Sequence, residues 1–447
     1  MTNQRADRGG PWLRLGLILV LGVILASLAW VVIDQRETAR IATARQLALQ
    51  GVRLRNVDDL SAALLGAAAV KLHADAGTRS ALTDTLISGR QGILPGASDV
   101  RKVALSADGR IALSADAHQG VVLWNLSPRG LPEHNLQAIP SNTLKDQLDA
   151  SAVALTPDGR TALIGGHDGS VSTWEVTGHS RPNKIFTGDD VAAVSEVAVS
   201  SDGKTVLAGF DNGGIVFWDA TDASPAIRRP TPTPHASAVS ATGMSADGHT
   251  ALTVSDEKAI VWDLTDPTHP TQAGVLTRPG THWGAGALSA DGRTAVTGTQ
   301  VWDVGNPAKP QQVATLPGVT SMVNDVALTS DGSRALTVED TGKITLWKLQ
   351  DRLHPVLLVD LPGPSRTVDS VALSADGGVA VIAAPAWGVI SWDISGISGD
   401  PLQDICADSA FRAIRVTPET WAKITGGEGW PDELGDPGNH NPCSSAL

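Results

Sequence analysis

Ser200-Ser201-Asp202-Gly203, followed by the apolar run Ile215-Val216-Phe217-Trp218 and then Asp219, is the stretch from which the architecture can be read. Asp-Gly supplies the positive φ that a tight hairpin connection demands, and the run after it reads as a strand ending on an indole. The same turn recurs six more times. Its aspartates are Asp108, Asp158, Asp202, Asp247, Asp291, Asp331 and Asp376, each two residues after a Ser or Thr and just before a Gly. Each copy leads 11 to 16 residues later to a tryptophan: Trp124, Trp174, Trp218, Trp262, Trp302, Trp347 and Trp392. Short apolar segments flank the turns, as in Val103-Ala104-Leu105 and Ile111-Ala112-Leu113.

Successive tryptophans lie 50, 44, 44, 40, 45 and 45 residues apart, the period of a four-stranded propeller blade. A single blade cannot bury both faces of its sheet, whereas seven around an axis can, with the indoles filling the space between neighbouring sheets. The expected fold is therefore all-β, a seven-bladed propeller over residues 91–396. The turn chemistry accounts for the aspartates without a catalytic role. Blade five has only 11 residues from Asp291 to Trp302, so its second hairpin turn is trimmed. A ring must also close, and Gln91 to Leu94 read as an outer strand completing the blade that holds Trp392.

These residues resemble a WD-repeat propeller, with Trp218-Asp219, Trp262-Asp263, Trp302-Asp303 and Trp392-Asp393 as the dipeptide that names the family. Pro95-Gly96 and Pro317-Gly318 stand where the family carries Gly-His, so its buried His-to-Asp network is not carried over. The wider layout is similar to the membrane-spanning, C-terminal portions of bacterial WD-repeat proteins attached to signal-transducing NTPases of the STAND type. Ala44-Arg45-Gln46-Leu47-Ala48, Trp262-Asp263-Leu264-Thr265-Asp266-Pro267, Ile405-Cys406 and Thr417-Pro418-Glu419-Thr420-Trp421 carry that likeness. No phosphate-binding Gly-x-x-x-x-Gly-Lys-Ser/Thr loop is present, so no NTPase engine is expected.

A net charge of -13 lacks the basic footprint that sequence-independent nucleic-acid binding requires. Two cysteines, Cys406 and Cys443, are too few for a zinc site but suffice for one disulfide in an oxidising compartment. His118, His167, His179, His235, His269 and His282 are scattered and read as solvated turn residues.

At the N-terminus, residues 1–14 form a short tail. Residues 15–33 then run without a charge, flanked by Trp12 and Trp30, and read as a transmembrane helix. A cleaved signal peptide ending near Ser27-Leu28-Ala29 is the alternative. The cysteine pair favours a single-pass protein of the cell membrane with its propeller outside the cytoplasm. Residues 35–89 read as a helical spacer: Leu60, Leu64, Ala68 and Leu72 share a face, Gly77 breaks the helix and Thr78 caps the next. Residues 397–447 form a tail with a short helix begun by Thr417 and Pro418 and ended by Gly426-Gly427, its Trp421 docking on the propeller.

The function expected is that of a non-enzymatic, membrane-tethered scaffold for protein interaction or sensing, without cofactor or metal. The alternative is a hydrolase or oxidoreductase with its site at the central channel. No His-Glu-x-x-His or Gly-x-Ser-x-Gly motif supports the latter.

Overall fold

The computed structural model describes the backbone of residues 11–447 except 56, 89–90, 95–98, 117–119, 127–149, 177–183, 188–191, 221–227, 231–234, 267–268, 278–283, 364–367, 408–410, 412–415, 428, 432–433, 435–441 and 444–447. Side chains of 11–29 and of a few strand residues are also outside the description. The chain divides into two compact units, residues 87–400 and a helical unit made of 1–86 with 401–447.

The first unit holds strands β1–β27 in chain order, in seven antiparallel sheets. The innermost strands are β2 (Val100–Leu105), β5 (Ala150–Leu155), β9 (Val194–Val199), β13 (Val239–Met244), β17 (Gly286–Leu288), β21 (Val323–Leu328) and β25 (Ser370–Leu373). Each touches the next, and β25 touches β2, so the seven sheets form a closed ring of blades numbered 1 to 7. Closure follows the expected route. β1 (Gln91–Leu94) pairs with β27 (Gly388–Asp393), with Gln91 opposite Trp392 and Leu94 opposite Val389. The ends of the ring's chain thus share one sheet, and a strand edge that would template aggregation is covered. Blade 5 is trimmed as its spacing implied: β18 (Thr294–Thr297) turns through Gly298-Thr299 alone into β19 (Gln300–Asp303). Blade 1 shows three strands among the described residues.

In the helical unit, α1 (Pro11–Leu54) is one continuous helix where a span and a separate spacer helix were expected. The expected single-pass anchor at 15–33 is corrected here. Among the described residues no helix is long and apolar enough to cross a membrane, because after Trp30–Ile33 charges recur at Asp34, Arg36, Glu37 and Arg40. Residues 1–10, and the side chains of 15–29, lie outside the described residues. The cell-membrane localisation inferred from that span falls with it.

Helix α2 (Asp59–Leu72) is capped by Asp58, whose carboxylate accepts from the Ser61 N–H at 3.1 Å. Leu64, Ala68 and Leu72 are buried as their spacing implied, but Leu60 is 50% exposed. Helix α3 (Ala76–Ser88) starts earlier than expected. Asp75, not Thr78, caps it, accepting from the Thr78 N–H at 2.8 Å, and Gly77 lies inside the helix. The C-terminal segment contributes α4 (Pro401–Ala407) and α5 (Pro418–Thr425), the latter capped by Thr417 and ended by Gly426 in the left-handed region. Trp421, expected to dock on the propeller, sits in the core of this unit beside Leu47, Leu65, Phe411 and Leu434, its indole donating to the Gly429 carbonyl at 3.1 Å. Cys406 and Cys443 are disulfide-bonded, their Cα atoms 5.4 Å apart.

Candidate functional site

The seven turns share one hydrogen-bond pattern. In the first, the Ser106 hydroxyl donates to Asp108 at 2.7 Å while accepting from the Ile111 N–H, and Asp108 accepts from the Arg110 N–H at 3.0 Å. Asp158, Asp202, Asp247, Asp291, Asp331 and Asp376 repeat it with Thr156, Ser200, Ser245, Ser289, Thr329 and Ser374. The hydroxyls are buried, so each carboxylate acts as the partner that makes a buried polar group tolerable. Hydroxyl and backbone donors hold Asp158 and Asp376 below the usual carboxylate range. Adjacent turns are also joined: Ser330 N–H donates to Ala375 O, Ala375 to Ala107 O, and Ala107 to Pro157 O. Pro157 has no N–H to pass on, and the succession resumes from Ser201 to Ala246 and from Ala246 to Ala290.

The seven tryptophans are all buried, each against the preceding blade. Trp262 meets Phe217 of blade 3 edge to face at 5.7 Å, and Trp124 packs with Val381 and Val389 of blade 7. Four indoles donate to a hydroxyl at the fourth residue of the second strand: Trp124 to Ser114, Trp262 to Thr253, Trp302 to Thr297 and Trp347 to Thr337, at 2.8–2.9 Å. Neither set of residues is arranged for chemistry on a ligand.

The channel is different. Lys102 on β2 pairs with Glu196 on β9, skipping a blade, with Asp325 on β21 and Asp369 ahead of β25 close enough to perturb it. Asp325 is fixed by the Val326 and Val371 N–H groups, each at 2.8 Å. One-residue bulges fall beside Lys102 and Asp325, a device that re-aims side chains at barrel rims. Lys102 and Glu196 stand on the innermost strands and keep 26% and 17% of their side-chain exposure, so they are largely but not wholly withdrawn from water, which screens them less than bulk solvent would. Burial pushes Glu196 and Asp325 up, partly offset by Lys102. Burial also opposes the Lys102 charge, but the surrounding carboxylates together outweigh it and raise its pKa. These four groups form one charge cluster, which sequence reading missed because its members come from four blades.

At the end of the ring where the second strands turn into the third, the exposed acidic residues of the described turns are Asp168, Asp211, Asp256, Glu257 and Asp340, with Lys258 and Lys343 as the half-buried lysines there. Trp387 stands on the same rim, 54% exposed. Aromatic side chains exposed on turns are enriched at interfaces.

Among the described residues the histidines do not converge. His118, His179 and His282 lie outside the described residues; His167 and His269 are exposed as expected. His235 corrects the sequence reading. It is only 4% exposed, and its Nε2 is 2.9 Å from the Thr253 hydroxyl that also receives Trp262. Burial, with some help from Lys258, lowers its pKa to about 4. No group of three or more His, Cys, Asp or Glu that could hold a metal occurs among the described residues.

The class these features define is a seven-bladed β-propeller. Within it, residues 180–219 match the family model "WD domain, G-beta repeat". The match is staggered against the blades, running from β8 (Lys184–Thr187), the outer strand of blade 2, through the three inner strands of blade 3 to Trp218-Asp219. That stagger is why β1 precedes blade 1 yet belongs to blade 7. Among solved structures, one chain of the crystal structure of the mitotic checkpoint complex is similar at 19% identity and a TM-score of 0.56, covering 68% of this chain and 91% of that one. The β-propeller domain of Myceliophteria thermophila Cps50 (Swd1) is similar at 15% identity and a TM-score of 0.54, covering 68% and 100%. At those identities the likeness speaks to the fold. No curated protein sequence matches the chain.

Proposed function

We propose that the protein is a non-enzymatic scaffold that binds protein partners on the acidic rim. The observation that carries this reading is the exposed Trp387 on a rigid edge whose other described turns present five carboxylates. Such a surface suits a partner segment that places Lys or Arg beside an apolar anchor: the indole face attracts a cation, and complementary charge steers encounter. A rigid ring displaying variable turns is also the physical basis on which propellers act as platforms. The resemblance of the motifs to WD-repeat portions of signal-transducing proteins agrees with a role in sensing or assembly.

The test is affinity capture from the source cells with the immobilised full chain, comparing wild type with Trp387→Ser combined with Asp211→Lys. Proteins retained by the first and lost by the second support the rim. An identical retained set from both would sink it.

A further inference from the structure

Blade 6 departs from the repeat at two positions. The first residue of the second strand is Ile111, Thr161, Thr205, Thr250, Thr294 and Val379 in the other blades, but Arg334 here. The residue after the tryptophan is Asn125, Glu175, Asp219, Asp263, Asp303 and Asp393 elsewhere, but Lys348 here. These two positions face each other. Arg334 pairs with Lys348 across β22 (Arg334–Glu339) and β23 (Ile344–Lys348), where blade 4 sets Thr250 against Asp263 and blade 5 sets Thr294 against Asp303. Like charges directly opposite on a sheet are destabilising, and here they replace a residue that elsewhere stabilises its strand end. Asp263, for instance, accepts from the Thr265 N–H at 2.9 Å.

The cost has a visible counterpart. Both cations line an open cavity of about 620 Å³ on the face of the Ser/Thr-x-Asp-Gly turns, opposite the acidic rim, and Arg293 and Arg352 line it too. Two of these arginines are preset by main-chain oxygens. Arg334 donates to the Gly377 and Ile397 carbonyls at 3.3 and 3.0 Å, and Arg352 to the Arg293 carbonyl at 3.1 Å while pairing with Asp303 at 3.2 Å. Ordering them in advance reduces the entropy lost when a ligand binds.

We propose that this cavity binds an acidic segment of a protein partner, independently of the rim on the other face. Planar guanidinium forks match carboxylates two bonds at a time. The turn carboxylates of Asp291, Asp331 and Asp376 also border the cavity, which disfavours a doubly charged phosphate but suits a peptide that brings backbone N–H groups with its acidic side chains. The volume is large for a single small ion.

The experiment titrates fluorescein-labelled octaglutamate into the full-length chain at low salt, following anisotropy. Wild type is expected to bind, with octalysine failing to compete. Lys348→Asp, which restores the residue of four other blades, is expected to weaken binding by about ten-fold or more, as loss of one charge-assisted contact implies. The same variant is expected to raise the thermal midpoint, because it removes the like-charge pair, so lost binding cannot be ascribed to misfolding. Arg334→Thr is the second variant and is expected to behave alike. Undetectable binding to wild type, equal affinity for Lys348→Asp, or displacement of the peptide by equimolar inorganic phosphate or a nucleotide would overturn the proposal. None of these outcomes bears on Trp387, so its failure and that of the rim reading are separable.

Discussion

Blades 4 and 7 begin from the same repeat and solve the burial of their tryptophan in opposite ways. In blade 4 the Trp262 indole and the His235 ring meet on one hydroxyl, Thr253. In blade 7, Ile382 occupies the position of Thr253, and the Trp392 Nε1 has no partner among the described residues. Both indoles are almost wholly buried, so the apolar contribution is similar and the polar one is not. Blade 7 is also the blade that β1 closes, and its sheet is pinned from outside by four residues of pairing register. The repeat therefore demands an indole at each wedge. Satisfying its N–H is an added stabilisation that a blade held in other ways can forgo.

The comparison can be broken hardest by removing the wedge. Trp262→Ala is expected to cost about 3–5 kcal/mol of unfolding free energy in urea titration, and Trp392→Ala about 1 kcal/mol less, since no hydrogen bond is lost with it. Equal costs would mean that the indole N–H bond contributes nothing.

A pH series comes next in size. His235 has a folded pKa near 4 against an ordinary 6.5, so below pH 6.5 the unfolded chain takes up a proton that the folded ring refuses. Stability should thus fall as pH drops from about 6.5 to about 4 and level off below, by up to about 3 kcal/mol from this residue. Subtracting the profile of His235→Gln isolates it from the turn carboxylates, and a flat difference would show that the ring is protonated without penalty. Thr253→Val should then cost about 2 kcal/mol, because it removes the hydroxyl that serves two buried rings at once.

How far the sequence reached differs between parts of the molecule for physical reasons. The ring was legible because one turn and one indole recur in every copy, and the closing strand was legible because a ring requires it. His235 was misread because the Pro- and Thr-rich run before it reads as a loop, and only the fold brings its ring onto the Thr253 hydroxyl of the neighbouring strand. The channel cluster was not legible, since Lys102 and Glu196 are 94 residues apart and only the curvature of the ring brings them together. Arg334 and Lys348 were visible as departures from the repeat, but only strand register shows that they are opposite each other. In the helical unit, Trp421 and Cys443 join helices from the other end of the chain, a contact that no periodicity encodes.

The finest distinction between the two blades is tested by giving blade 7 the hydroxyl it lacks. Ile382→Thr loses buried methyl groups, so its direct comparison is with Ile382→Val, which creates nearly the same space without a polar atom. At an ordinary buried site Thr is the worse of the two by about 1–3 kcal/mol, because its hydroxyl is desolvated without reward. Here the position corresponds to Ser114, Thr253, Thr297 and Thr337, from which an indole bond of 2.8–2.9 Å is made in four other blades. The order should therefore reverse, with Ile382→Thr more stable than Ile382→Val by about 1 kcal/mol in parallel urea melts. If Val remains the better residue, the Trp392 ring is held in an orientation that the hydroxyl cannot reach, and blade 7 differs from blade 4 in its packing and not only in its missing partner.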